Sequence, residues 1–362
     1  MWTTKRRHGR DVRVSAPMSP ITDTRRINPA ALVLWRDHDI LQVELGSNSV
    51  VIENIGPHEA SDLLARTESS RRARPDASLN ALRQALADTE LLSEREIRSW
   101  PESIQLSGER RALTAQYGQQ AGEVMARRQQ AAVVVHGPAR LAGLLAATIA
   151  SAGVGHVHPV HRGDVTAFDA CPGGLTPADE GRRFVEASIG AINRAAPQTE
   201  TRPISGQRRP DLVILTDSGP PDPELAANLQ RDGVAHLVVQ IRGATSIIGP
   251  LVVPGESSCV RCADLHRTDR DPCWPLFAVQ LTNRSAHRAQ PDVGLTVATA
   301  GVAANQVLAL LDRLDERAPS ALNGTLEWQL PDWRLRRRSW PPHPDCDCGA
   351  ASDSAEHGRM AL

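Results

Sequence analysis

The sequence predicts an α/β protein: a Rossmann-like doubly wound sheet with a structural zinc site, preceded by a small α+β unit compatible with a winged helix. Three observations predict it. From about residue 131, short aliphatic runs alternate with alanine-rich stretches, the pattern of strands joined by crossover helices. Ahead of that, three closely spaced strand-like segments precede helical periodicity, which gives a second, smaller unit. Four of the six cysteines form two tight pairs far apart in the chain, Cys259/Cys262 and Cys346/Cys348.

In the N-terminal unit, Ala31–Arg36, Ile40–Leu45 and Ser49–Glu53 read as strands. In the second, Leu41, Val43 and Leu45 alternate with Gln42 and Glu44, which suits a strand with one buried face. The breaks at His38-Asp39 and Ser47-Asn48 have turn composition. A helix is expected from about Pro57. A second is expected over Leu79–Leu92, with Ser78 as N-cap and Leu79, Leu82 and Leu86 on one face. The unit ends near Trp100, and a polar helical stretch, Glu109–Gln130, follows.

In the larger unit, Ala131–Val135, Val154–Val160, Asp211–Thr216 and Ala235–Ile241 are expected buried strands, and Leu141–Ala150 and Pro223–Gln230 expected helices. Leu295–Leu311 reads as a long core helix. Thr325–Leu330 and Trp333–Ser339 read as a closing hairpin, whose arginines lie on a solvated face. The expected divisions are a disordered basic tail over 1–20, the winged-helix-like unit over 21–107, the α/β domain over 108–349 and a disordered tail over 350–362. The basic N-terminus is read either as a disordered arm or as the product of an upstream start, with Met18 as the true one.

Composition narrows the partners. Across 362 residues the formal net charge is -1, so no global field favours nucleic acid or an anionic membrane. No segment reads as apolar for long enough to span a bilayer, and the N-terminus lacks the apolar stretch of a secretory signal. Paired cysteines without export signals point to metal and to the cytosol. Basic charge is almost wholly arginine, and Lys5 is the only lysine.

Zinc prefers four thiolates at the corners of a tetrahedron, and two short chelating pairs, CxxC at Cys259/Cys262 and CxC at Cys346/Cys348, supply them. Such a site leaves no open position, so it is structural. The competing readings are four ordinary cysteines, two local redox pairs, or a set in which His266 or His343 replaces one cysteine. Cys171 and Cys273 stand alone and are read as structural.

The run Val133–Asp164, with Ser151-Ala152-Gly153-Val154-Gly155 at its centre, resembles the nucleotide-binding core of the ThiF-like, ubiquitin-activating-enzyme-like superfamily. The resemblance continues through Asp211–Asp217 and through Gly249–Gly255 before the CxxC, and reaches the distant CxC. The segment Cys262–Pro272 is similar to the branch attached to azole-forming peptide biosynthesis, whose members bind precursor leader peptides. That branch carries a PqqD-like winged-helix element at its N-terminus, which the strand–strand–strand–helix order before Trp100 matches in layout.

The departures carry the functional expectation. Adenylating members keep small residues where backbone N–H groups approach phosphates, and here Ala139, Arg140 and Ala142 stand at three of their glycines. Their ribose-binding aspartate falls on His161, and their phosphate-holding lysine has no counterpart after Lys5. Gly137 and Asp217 remain as weak candidates for a degenerate nucleotide and magnesium site. The resemblance therefore implies a non-catalytic scaffold that captures a precursor peptide by strand addition, on the sheet that includes Ser49–Glu53. It would present that peptide to a partner YcaO-type cyclodehydratase, with a homodimer as a further possibility. The alternative is an active adenylyltransferase acting on a peptide or sulfur-carrier C-terminus, with Asp217 holding magnesium and Cys171 or Cys273 accepting the acyl group.

Overall fold

The computed structural model describes residues 11–13, 26–28, 31–45, 48–53, 55–57, 86, 92–93, 106–137, 139–204, 208–217, 219–283, 291–312 and 318–350. The chain divides into two compact units, Met1–Met125 and Ala126–Leu362. The division falls later than the one read from composition at 107/108, because the first polar helix belongs to the N-terminal unit.

The N-terminal unit is built on strands β1 (Asp11–Arg13), β2 (Arg26–Ile27), β3 (Leu32–Asp37), β4 (Ile40–Leu45), β5 (Asn48–Glu53) and β6 (Leu92–Ser93). One sheet has the order β1-β5-β4-β3, and β2 pairs with β6 separately. The alternation in β4 does what the sequence predicts. Leu41 and Val43 are fully buried against Val50, Ile52, Ile55 and Leu86. One expectation is corrected here. Asp11–Arg13 fall in the segment read as a disordered tail, yet they pair in parallel with Ser49–Val51. The expected helices over residues 57–92 lie almost wholly outside the described residues; Leu86 is helical and buried.

The polar stretch expected over Glu109–Gln130 forms two helices, α1 (Ser107–Tyr117) and α2 (Ala121–Gln130). Gly118, with φ +53°, ends the first in a conformation that favours glycine.

The larger unit carries β7 (Ala132–His136), α3 (Ala139–Ser151), β8 (His156–Val160), α4 (Phe184–Ala195), β9 (Leu212–Asp217), α5 (Pro223–Arg231), β10 (His236–Arg242) and β11 (Thr245–Val252). These are followed by α6 (Val260–Arg270), α7 (Trp274–Asn283), α8 (Val293–Asp312), β12 (Gly324–Gln329) and β13 (Arg336–Ser339). The seven-stranded sheet has the order β13-β12-β11-β10-β9-β7-β8. Its β8-β7-β9-β10 half is parallel, and β11, β12 and β13 add on antiparallel.

Side-chain parity explains the double winding. Val133, Val135, Leu212 and Ile214 face a core shared with α3, α4 and α8. Val134, Val213 and Leu215 face the other way, against Leu225 and Leu229 of α5. Strands buried on both faces read as continuous aliphatic runs, which is why they were legible in sequence. The turn Gly153–Gly155 packs without room for a side chain: a Cβ on Gly155 would lie 1.8 Å from the Gln129 carbonyl oxygen. The core helix expected over Leu295–Leu311 is present as α8, while the expectation that no segment is apolar for long enough to span a bilayer is corrected by it. By length and composition it is apolar enough to cross a membrane. It lies instead against the sheet, burying Leu295, Ala300, Ala303, Ala304, Val307 and Leu310 in the core.

An ion pair closes this core. The Arg128 guanidinium donates through Nε and NH2 to the two Asp312 oxygens at 2.7 Å each, and through NH1 to the Ala152 carbonyl at 3.1 Å. Both side chains are 4% exposed, so fork-to-fork geometry and the extra carbonyl bond offset the desolvation of the pair.

Candidate functional site

The two cysteine pairs converge. Cys259 is the N-cap of α6 and Cys262 lies in its first turn, while Cys346 and Cys348 sit in the turn after β13. The sulfur separations are 3.8 Å for Cys259–Cys262, 3.6 Å for Cys259–Cys346 and 3.6 Å for Cys262–Cys348, and all four sulfurs lie within 4.8 Å of one another. Four sulfurs around one ion at metal–sulfur bonds of about 2.3 Å lie about 3.8 Å apart. The cluster can hold a metal ion.

Electrostatics fit that use. The Cys259 thiol, hydrogen-bonded to the Cys262 sulfur and buried, has its pKa raised. Cys262 is pushed down to about 4, first by the bond it accepts from Cys259. Burial pushes Cys346 up to about 11. A cation that replaces the shared protons relieves the crowding, since metal binding deprotonates thiols.

The surroundings fix the two loops. Arg261 pairs with Asp347 at 2.9 Å, and the Ser258 N–H donates to Asn323 Oδ1 at 2.7 Å. The two histidines weighed as substitute ligands are used otherwise. Asp345 N–H donates to His343 Nδ1 at 3.1 Å, so Nε2 carries the proton and donates to Asp269 Oδ2 at 2.9 Å. His266 Nε2 lies 2.9 Å from the Pro341 carbonyl oxygen. Asn323 was missed in sequence, whereas Asp269 and the buried Trp340, over which Arg267 and Arg270 stack, fall in segments already placed beside the cysteines. No short spacing ties Asn323 to the cysteines.

The second candidate site lies where strand order reverses, between β7 and β9. In open α/β sheets ligands bind outside the carboxyl ends of strands at this point. Gly137 follows β7 and Asp217 ends β9, so the fold brings both weak candidates to that crevice. Gly137 has a packing reason to be glycine: φ is +133°, and a Cβ would lie 2.0 Å from the Thr216 carbonyl oxygen. Asp217 Oδ1 accepts from the Gly219 N–H at 3.3 Å, the role of a loop cap.

Among the remaining groups there, Arg140 is only partly satisfied, its buried Nε having no acceptor among the described residues, and the histidines favour the neutral form. Arg140 NH1 donates to the Phe168 carbonyl at 3.3 Å, and the same guanidinium lies beside the Cys171 thiol. His161 stands edge-on to Phe184, ring centroids 5.1 Å apart. Desolvation lowers the pKa of His161 and of His136, so both favour the uncharged form. Cys171 is buried with its pKa raised by desolvation, which does not suit a nucleophile; Cys273 is exposed.

A parallel β8-β7-β9-β10 core, an antiparallel extension and a four-cysteine corner make up a mixed α/β architecture of the class expected from the sequence. Two similar crystal structures are of E. coli MccB. The microcin C7 biosynthetic enzyme MccB in complex with N-formylated MccA superposes with a TM-score of 0.65 at 12% identity, covering 90% of this chain and 99% of that one. MccB with ATP gives 0.65 at 14% identity over the same shares. PaaA gives 0.56 at 16% identity, over 72% of this chain and 91% of that one. These likenesses establish the fold. No family model matches the sequence, and no curated protein does.

Proposed function

We propose that this protein is a zinc-containing, ThiF-like scaffold that binds a precursor peptide and presents it to a partner enzyme in peptide maturation. Zinc is the metal that four thiolates at these separations suit best. It would be held by Cys259, Cys262, Cys346 and Cys348 and would anchor α6 to the C-terminal turn. A reducing compartment, the cytosol, suits such thiolates. The winged-helix reading of the N-terminal unit belongs to this proposal, as does the YcaO-type cyclodehydratase as partner.

The observation that carries the peptide reading is the edge of the N-terminal sheet. β5 is flanked by β4 and by the chain's own Asp11–Arg13, so it offers no free edge over Ser49–Val51. β3 lies at the other end of that sheet, pairing with β4 alone among the described residues. It exposes Leu32, Leu34 and Trp35, with Trp35 at 47%. Unpaired backbone bordered by apolar side chains is what an extended peptide needs for strand addition. MccB, the fold's neighbour, was crystallised with its precursor peptide MccA.

In the C-terminal unit, the chemistry of the crevice between β7 and β9 argues against adenylation. Among the described residues the crevice holds histidines that favour the neutral form, an arginine turned to the Phe168–Cys171 loop, and no lysine. Titration of the full chain with short peptides encoded beside its gene tests the reading: micromolar binding weakened by Trp35→Ala supports it, and no binding to any of them refutes it.

One observation favours the second reading, an ATP-using adenylyltransferase. MccB, with the same fold, is a biosynthetic enzyme crystallised with ATP. Asp217 would then hold magnesium. ATP–pyrophosphate exchange separates the two.

A further inference from the structure

The outer edge of the large sheet carries a second surface that the peptide-scaffold reading leaves unused. β13 ends the sheet and pairs only with β12 among the described residues. Together with the turn before it, β13 borders a cleft of about 470 Å³ lined by Arg334, Arg336, Arg337 and Arg338, with Glu327 and Asp332. Two of these cations have internal partners: Arg336 meets Asp332 at 3.2 Å and Arg338 meets Glu327 at 3.2 Å. Arg337 has no carboxylate partner among the described residues. It is held instead by donating to the Ser320 and Leu322 carbonyls at 2.9 Å each and to Ser339 Oγ at 2.7 Å. Arg334 makes no side-chain ion pair among the described residues, so of the cleft-lining groups four guanidiniums face two carboxylates.

Two further features point to a ligand rather than to charge that merely keeps an edge strand soluble. The first is the free outer edge of β13 among the described residues, which leaves its backbone open to a further strand on the side away from β12. Trp333 and Leu335, on the adjoining turn, are 50% and 56% exposed, which adds apolar contact to the charge.

We propose that this edge binds an extended acidic peptide segment, whose backbone adds to β13 and whose carboxylates lie at alternate positions. The spacing follows from the pleat. Arg336 and Arg338 are two residues apart on one face of β13, opposite Glu327 and Thr325 of β12, so carboxylates at i and i+2 of an added strand meet both. Guanidinium groups favour this pairing because their forks match carboxylates. The inference deepens the peptide-binding reading by naming a class of sequence, and it does not depend on the β3 edge.

The test uses the full chain and labelled peptides. The probe is Thr-Glu-Thr-Glu-Thr-Glu-Thr; controls are Thr-Gln-Thr-Gln-Thr-Gln-Thr, the isomer Glu-Glu-Glu-Thr-Thr-Thr-Thr and a twelve-nucleotide oligouridylate. The alternating acidic peptide should bind at least tenfold more tightly than the glutamine peptide and its isomer, and more tightly than the RNA. Arg336→Gln with Arg338→Gln should weaken it at least tenfold. Glu327→Gln, which removes the internal competitor, should strengthen it, so the proposal does not rest on loss of binding alone. Equal binding of the three peptides, tighter binding of the RNA, or indifference to both variants overturns it. A gene-encoded precursor that still binds when the acidic probe does not would sink this inference and leave the scaffold reading standing.

Discussion

The sulfurs of Cys262 and Cys348, 86 residues apart in sequence, lie 3.6 Å apart. Nothing in the intervening chain requires this, since α7, α8, β12 and β13 all pass between them. The contact makes sense as one edge of a four-sulfur tetrahedron, and on the proposed reading an ion held there would tie the C-terminal turn to α6.

Cys262→Ser should therefore abolish stoichiometric zinc by elemental analysis and lower thermal stability. A loss of about 3 kcal/mol in a domain of this size corresponds to a fall of about 6–12 °C in Tm. Arg261→Ala, which breaks only the exposed pair with Asp347, should leave zinc content unchanged.

Zinc uptake should also release protons. Cys259 and Cys346 are raised and hold their protons at pH 7, whereas Cys262 is already low. Binding to the metal-free protein at neutral pH should expel at least two protons, so affinity should rise by about a hundredfold or more per pH unit near pH 7. Calorimetry in buffers of different ionisation enthalpy counts them; release of none contradicts the thiol assignment.

The Arg128–Asp312 pair gives a stability prediction. Asp312→Ala leaves a buried guanidinium uncompensated and should cost about 3–5 kcal/mol in denaturant unfolding. The double replacement Arg128→Met with Asp312→Leu should cost much less, because neither charge is then stranded.

Buried histidines set the acid limb. His236 is 1% exposed and, like His136 and His161, has its pKa lowered by desolvation. A depressed folded-state pKa means that the unfolded chain takes up the proton first as pH falls. Stability is thus intact above about pH 6.5 and falls below it, by up to about 1.4 kcal/mol per pH unit per histidine. His236→Gln should flatten the decline in Tm between pH 6.5 and 5.

Much of this was legible in the sequence because burial writes it there. The aliphatic runs at Val133–Val135 and Leu212–Leu215 reveal strands covered on both faces, and the cysteine spacing reveals the four-sulfur cluster. What stayed hidden has physical causes. β11 carries Gly249-Pro250 in its middle, which reads as a break; the pairing with β10 shifts register between Leu237 and Val239 and accommodates them. α4 does bury Phe184, Ala187, Ser188, Ala191 and Ile192 on one face, a spacing that could have been found. The pairing of β1 with β5 leaves no signature, since three residues of backbone hydrogen bonding need no particular side chains.

The central claim is peptide recognition without nucleotide chemistry, and ATP–pyrophosphate exchange by the zinc-loaded full chain, with and without the precursor peptide encoded beside its gene, tests it most directly. The account predicts no exchange above background in either case, while the same peptide binds in the absence of ATP. Exchange that appears only when the peptide is added, and disappears in Asp217→Asn, would contradict it.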